Sequence, residues 1–188
     1  MKRIVIFASG SGSNAENLIK FFHNSDNASV IQVLCNNPHA KVLERAKKLK
    51  VSALSFNRIA FYETDDVLNI LKASKPDVIV LAGFLWKFPE VILNAFPNKV
   101  INVHPALLPK YGGKGMYGMH VHNAVVDNDE TETGITIHYV NENYDEGAII
   151  FQVKCKVVDT DTAEDVAAKI HELEMEHFSK VVEKLLKD

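Results

Sequence analysis

Short apolar, β-branched runs recur along the first half of the chain, each followed by a stretch with helical periodicity, and this alternation leaves few folds open. Arg3 to Ala8 (RIVIFA), Ser29 to Cys35 (SVIQVLC), Val51 to Phe56, Pro76 to Gly83 (PDVIVLAG) and Lys99 to Val103 (KVINV) read as strands. Helices are expected from about Asn14, with Leu18, Ile19 and Phe22 inward, over Ala40 to Leu49, over Tyr62 to Ala73 and from Pro89 to Ala95. Near-continuous apolar runs suit strands buried on both faces, and strands alternating with helices suit a parallel sheet. Later, Gly134 to Val140 and Ala148 to Val158 read as strands joined by the turn-rich NENYDEG. The expected fold is α/β: an open, mostly parallel twisted sheet with helices on both faces and antiparallel strands added toward the C-terminus. A last helix begins near Asp161, with Glu164 completing a capping box; its apolar face is Val166, Ile170, Leu173, Phe178, Val181 and Leu185.

A length of 188 residues suits one domain. A net charge of -3 gives no reason to expect nucleic acid as the main partner. Cys35 and Cys155 form no CxxC pair and read as buried small hydrophobes. The apolar run at the N-terminus is too short for a signal peptide, and no stretch reaches the roughly 20 apolar residues of a membrane span, so a cytoplasmic protein is expected.

Three places carry chemistry. The turn Gly10-Ser11-Gly12-Ser13-Asn14 lies between a buried strand and a helix start, where backbone N–H groups and the helix dipole favour a phosphate. With Ala15 in the third position it fits only the relaxed dinucleotide fingerprint, and a purely structural turn remains a competitor. Asn102 and His104 close a strand and share a side of it, an amide and an imidazole that together suit an oxyanion and a proton. A pair of satisfied polar groups closing a strand is the alternative. Between Pro105 and Met119 runs a Gly/Pro-rich loop of the length that is usually functional or disordered. Asp145, in the following YDEG, would favour the imidazolium form of His104 if the two approach. His120 and His122 do not share a helix face, no metal motif is present, and no metal is expected. His138 lies in a strand and reads as a neighbour of the pocket.

SGSGSN after the first strand, VLAGF (Val80 to Phe84), INVHPALLPKY (Ile101 to Tyr111), GITIHYV and YDEGAII (Tyr144 to Ile150) appear in the order, and over nearly the whole length, in which this chain resembles the phosphoribosylglycinamide formyltransferase family, folate-dependent enzymes of purine synthesis. The resemblance implies a Rossmann-like formyltransferase fold, one domain over 1–188 with a phosphoribosyl-binding half at 1–100 and a catalytic, folate-binding half at 101–188. It implies transfer of the formyl group of 10-formyltetrahydrofolate, a cosubstrate, to the amine of 5-phosphoribosylglycinamide, without metal. Asn102, His104 and Asp145 match the catalytic trio, a charged His104 and Asn102 donating to the formyl oxygen. Gly12, Ser13, Asn14, Lys110 and Glu174 match substrate contacts. Leu85, Trp86, Lys87, Phe88, Asn102 and Arg58 match the folate side, with Asn141 to Asp145 forming its other wall. The loop after Lys110 is longer than the usual form of the motif, and Trp86-Lys87 stands where an Arg-containing pair is more usual. Partners are expected to be these small molecules, with no nucleic acid or membrane, and a monomer or homodimer. A formyltransferase for amino-sugar nucleotides, or a nucleotide-binding module without catalysis, are the rival readings. The extra domains expected of methionyl-tRNA formyltransferase and formyltetrahydrofolate hydrolase do not fit in 188 residues.

Overall fold

The computed structural model describes residues 1–187. A seven-stranded sheet runs in the order β3-β2-β1-β4-β5-β6-β7. Its strands are β1 (Lys2–Ala8), β2 (Ala28–Cys35), β3 (Ser52–Ser55), β4 (Val78–Leu81), β5 (Val100–His104), β6 (Glu132–Tyr139) and β7 (Ile149–Lys156). The pairs from β3 through β5 are parallel, and β6 and β7 add antiparallel. The helices are α1 (Ser13–Phe22), α2 (Lys41–Lys48), α3 (Asp66–Ser74), α4 (Glu90–Ala95), α5 (Met119–Asp127) and α6 (Ala163–Lys187). Among the described residues no helix is long and apolar enough to cross a membrane.

Strand alternation divides the core in two. On β1, Ile4, Ile6 and Ala8 face a cluster shared with α1, α2, α5 and α6, while Val5 and Phe7 face one built from α3, α4 and an aromatic group. All five side chains are fully buried, which a double-sided strand demands. Phe7 touches Phe56, Phe61, Phe84 and Phe88 edge-on or tilted, arrangements aromatic quadrupoles prefer.

Local departures from the sequence reading have local causes. The helix expected over Tyr62 to Ala73 is divided: a π-helical turn spans Ile59–Glu63, and the Thr64 hydroxyl bonds the Asp66 carboxylate (2.7 Å) where α3 begins. The capping box of α6 lies one residue later than Asp161 and Glu164. The Thr162 hydroxyl accepts from the Asp165 N–H (3.2 Å), and the Asp165 carboxylate accepts from the Thr162 N–H (2.9 Å). Asp161 instead accepts from the Val158 N–H and pairs with Lys169. On α6, Val182 joins the expected apolar face as a fully buried residue, and Val181 packs partly buried against the same core. The Gly/Pro-rich loop after Pro105 ends in α5, a helix of nine residues.

Candidate active site

β1 continues through α1 toward one sheet edge, whereas β4 and β5 lead toward the other, so the chain diverges beyond the carboxyl ends of β1 and β4. Open α/β sheets bind ligands in the crevice at such a divergence. A cleft of about 900 Å³ lies there, lined by the turn after β1, the segment after β4, the end of β5, the loop before α5, the β6–β7 connection and one side of α6. The crevice is tied across its top: the Ser9 N–H donates to the Gly83 carbonyl (3.1 Å), and the Ser9 hydroxyl accepts from the Leu85 N–H (2.9 Å).

At one end stands the glycine turn. Gly12 has φ 75°, and a Cβ there would come within 2.4 Å of the Val42 side chain and 2.8 Å of the Val42 Cα. Only glycine meets both demands, the left-handed backbone and the close approach of α2. The turn's carbonyls are occupied from behind. The Val42 N–H donates to Gly10 (3.2 Å) and Arg45 Nε donates to Ser11 (2.9 Å). Helix geometry leaves the first N–H groups of α1 without intrahelical acceptors, and no side chain caps them. The result is a row of free N–H groups with the turn's acceptors turned away, an arrangement that suits an anion. Asn14 lines it and donates to Glu174 on α6 (2.8 Å), and Ser13 is beside it. Burial pushes the Glu174 carboxyl up, against the opposing Asn14 bond. Gly12→Ala is expected to weaken binding of a phosphate monoester about tenfold, since backbone strain of this kind costs on the order of 1–3 kcal/mol. Isothermal titration with ribose 5-phosphate checks it, and wild-type affinity in the variant removes the turn from the site.

At the other end, β5 and β6 bring polar groups together. Asn102 and His104 alternate on one side of β5, and Asn102 lies opposite His138 across the antiparallel pair. Asn102 Nδ2 donates to His138 Nε2 (3.2 Å), while His138 Nδ1–H donates to the Tyr139 carbonyl (2.8 Å). His104 is buried, and its Nε2–H donates to the Tyr111 carbonyl (2.7 Å). That bond fixes the tautomer and leaves Nδ1 for chemistry. Asp145 faces both rings, with Oδ2 at 3.6 Å from His104 Nδ1 and Oδ1 at 3.6 Å from His138 Nε2. These separations exceed a direct hydrogen bond but are short for a charge interaction. Asp145 Oδ2 also accepts from the Gly113 N–H (2.9 Å).

Burial pushes Asp145 up, but the positive charge the two facing rings can take up, with the Gly113 N–H, holds it below the usual carboxylate range. The balance at His104 differs from the sequence expectation of a charged ring. Burial pushes His104 down, and it outweighs the opposing Asp145 carboxylate and Tyr111 carbonyl. The balance therefore favours the neutral, basic form of the ring. An NMR titration of His104 is expected to give a midpoint below the ordinary histidine value. Asp145→Asn, which removes the nearest negative charge, is expected to move it lower still. A midpoint above the ordinary value would mean that the carboxylate dominates.

The sequence-derived residues do not all meet at the cleft. Gly12, Ser13, Asn14, Leu85, Trp86, Lys87, Phe88, Asn102, His104, Asp145 and Glu174 line it, as do Asn141 and His138. Phe88 turns its ring into the aromatic core. Lys110 pairs with Glu130 (2.8 Å) beside the cleft, and Arg58 lies over the Trp86 ring (4.8 Å to its centroid); neither is among the lining side chains. His120 is exposed and His122 buried, because α5 turns them to different faces, and among the described residues no His, Cys, Asp and Glu group suits a metal. Sequence reasoning missed Arg45 and gave Gly147, the end of the YDEG motif, no role of its own. A Cβ on Gly147 would lie 1.7 Å from the Tyr139 carbonyl oxygen. The glycine ending YDEG was its only local sign.

The formyl transferase family model matches residues 2–182. A phosphoribosylglycinamide formyltransferase of Bacillus subtilis is 33% identical over 193 residues, covering 99% of this chain and 95% of its own. One of Haemophilus influenzae is 34% identical, covering 97% and 86%. The solved structure of glycinamide ribonucleotide transformylase 1 from Geobacillus kaustophilus superposes with a TM-score of 0.89 at 34% identity, covering 99% of each chain.

Proposed function

The chain belongs to the formyl transferase family, and from that premise we infer that it formylates the amine of 5-phosphoribosylglycinamide in purine synthesis. We propose 10-formyltetrahydrofolate as the formyl donor, a second substrate held along Leu85 to Phe88 and the Asn141 side of the cleft. Gly12, Ser13 and Asn14 would take the phosphate, and Glu174, bonded to Asn14, would contact the same ribonucleotide. A cytoplasmic setting is part of this reading. The observation that carries it is a single cleft with the free N–H groups of the glycine turn at one end and Asn102, His104 and Asp145 at the other.

In the proposed reaction the substrate amine attacks the formyl carbon, a C–N bond forms and the carbonyl electrons move to oxygen. Asn102 Nδ2 has two hydrogens: one is given to His138 and the other is free for that oxygen. The attacking nitrogen becomes positively charged, and neutral His104 accepts its proton at Nδ1. The imidazolium so formed is stabilised by Asp145, which stays ionised. The same proton then goes to N10 of the folate as the C–N10 bond breaks. Burial makes His104 a base before the reaction, and the carboxylate makes it a tolerable cation during it. No covalent enzyme intermediate enters the sequence.

A formyl-transfer assay with purified protein, 10-formyltetrahydrofolate and phosphoribosylglycinamide tests the reading, with UDP-amino sugars in parallel. Turnover with the ribonucleotide and none with the sugars is expected. The reverse would overturn the substrate assignment, and no turnover with either would overturn the donor.

A further inference from the structure

The two groups that hold the acid–base pair come from one short turn. Tyr111 gives its carbonyl to His104 Nε2–H, and Gly113 gives its N–H to Asp145. Tyr111 reaches this arrangement with φ 54°, a left-handed backbone that an aromatic residue adopts only when its surroundings impose it. Those surroundings lie outside the cleft. The Tyr111 hydroxyl donates to Glu130 Oε1 (2.9 Å), and the Lys110 ammonium contacts both Glu130 oxygens (2.8 and 3.1 Å). Glu130 is itself fixed on the turn between α5 and β6, where its N–H donates to the Val125 carbonyl (3.2 Å). Lys110, then Tyr111, hold Glu130 below the usual carboxylate range, and burial with the Glu130 carboxylate pushes the Tyr111 hydroxyl up to about 12. Both partners therefore keep the charge states that this contact needs across the neutral range.

We propose that Glu130 is a positioning residue: by anchoring Lys110 and Tyr111 from outside, it keeps the Tyr111 carbonyl on His104 Nε2–H and so reserves Nδ1 for proton transfer. It touches no substrate. The inference rests on the proposed role of His104 as the proton carrier. It also accounts for Lys110, which the family motif carries but the cleft does not use. The groups facing His104 are Asp145, His138 and His122, so Glu130 acts on the ring only through Tyr111.

The test reads the His104 ring directly in the full chain. Long-range proton–nitrogen correlation above the ring's titration is expected to show Nε2 protonated and Nδ1 bare in the wild type. In Glu130→Ala both nitrogens are expected to move toward averaged shifts, and kcat to fall about tenfold, the lower range for losing a supporting contact, with the ribonucleotide KM unchanged. Glu130→Gln, whose amide oxygen still accepts from Tyr111, is expected to recover most of both. Tyr111→Phe, which removes only the hydroxyl, shifts the ring in the same direction and serves if Glu130→Ala does not fold. Wild-type ring shifts in Glu130→Ala overturn the inference, whatever happens to kcat, as does a wild-type ring protonated at Nδ1. A ring that responds to Glu130 in a protein with no formyl transfer would retain the anchor and overturn the functional reading instead.

Discussion

Asp145→Asn lowers kcat by roughly 10²–10⁴-fold, the range that acid–base assistance contributes, while the protein stays folded. The amide oxygen of Asn can still accept from the Gly113 N–H, so the loop keeps its internal tie. What disappears is the negative charge 3.6 Å from His104 Nδ1 and from His138 Nε2. Burial and the facing His138 ring then push His104 down with only the Tyr111 carbonyl opposing, so the imidazolium that must form during transfer has no counter-charge. Asp145 takes no part in the phosphate site proposed at the glycine turn, so KM for the ribonucleotide is expected to stay near the wild-type value. Steady-state kinetics with both substrates varied, beside a thermal melt, checks the pattern. A variant with near-wild-type kcat would remove Asp145 from the chemistry.

Gly147→Ala damages the same function through the backbone. A Cβ at this position would sit 1.7 Å from the Tyr139 carbonyl oxygen and 2.7 Å from its carbon, both main-chain atoms of β6. Neither can yield as a side chain tip would, so the β6–β7 connection must lift. Overpacking of this kind costs about 2–3 kcal/mol, which for a chain of this size corresponds to a fall in Tm of roughly 4–12 °C. Asp145 rides on that connection, so kcat falls as well. Melting by circular dichroism and the formyl-transfer assay report the two effects. A melt unchanged from the wild type would show that the connection has slack the close approach denies.

How much of this could be read from residue order differs by feature. Strand runs such as PDVIVLAG announce themselves because burial on both faces leaves no room for polar residues. Asn102 and His104 were legible as a pair because strand alternation is a short-range rule. The partnership of Asp145 with those rings was visible only through family resemblance, since it depends on how closely the β6–β7 connection approaches β6. Lys110 illustrates the opposite case. It stands inside the motif, yet its side chain leaves on the far side of the turn from His104, and only the position of Glu130 shows why. The charge state of His104 also escaped the sequence, because it is a balance between burial and a carboxylate, and neither quantity exists before folding.

The hydrogen bond from Asn14 to Glu174 joins the first helix to the last across nearly the whole chain. During synthesis the turn after β1 emerges early, and its α6 wall follows 160 residues later. A ribosome-bound intermediate with its parallel strands already paired would still lack the carboxyl group and the apolar side of α6 that enclose the ligand. A ligand held in this turn would therefore stabilise the chain with α6 docked over the chain with α6 undocked.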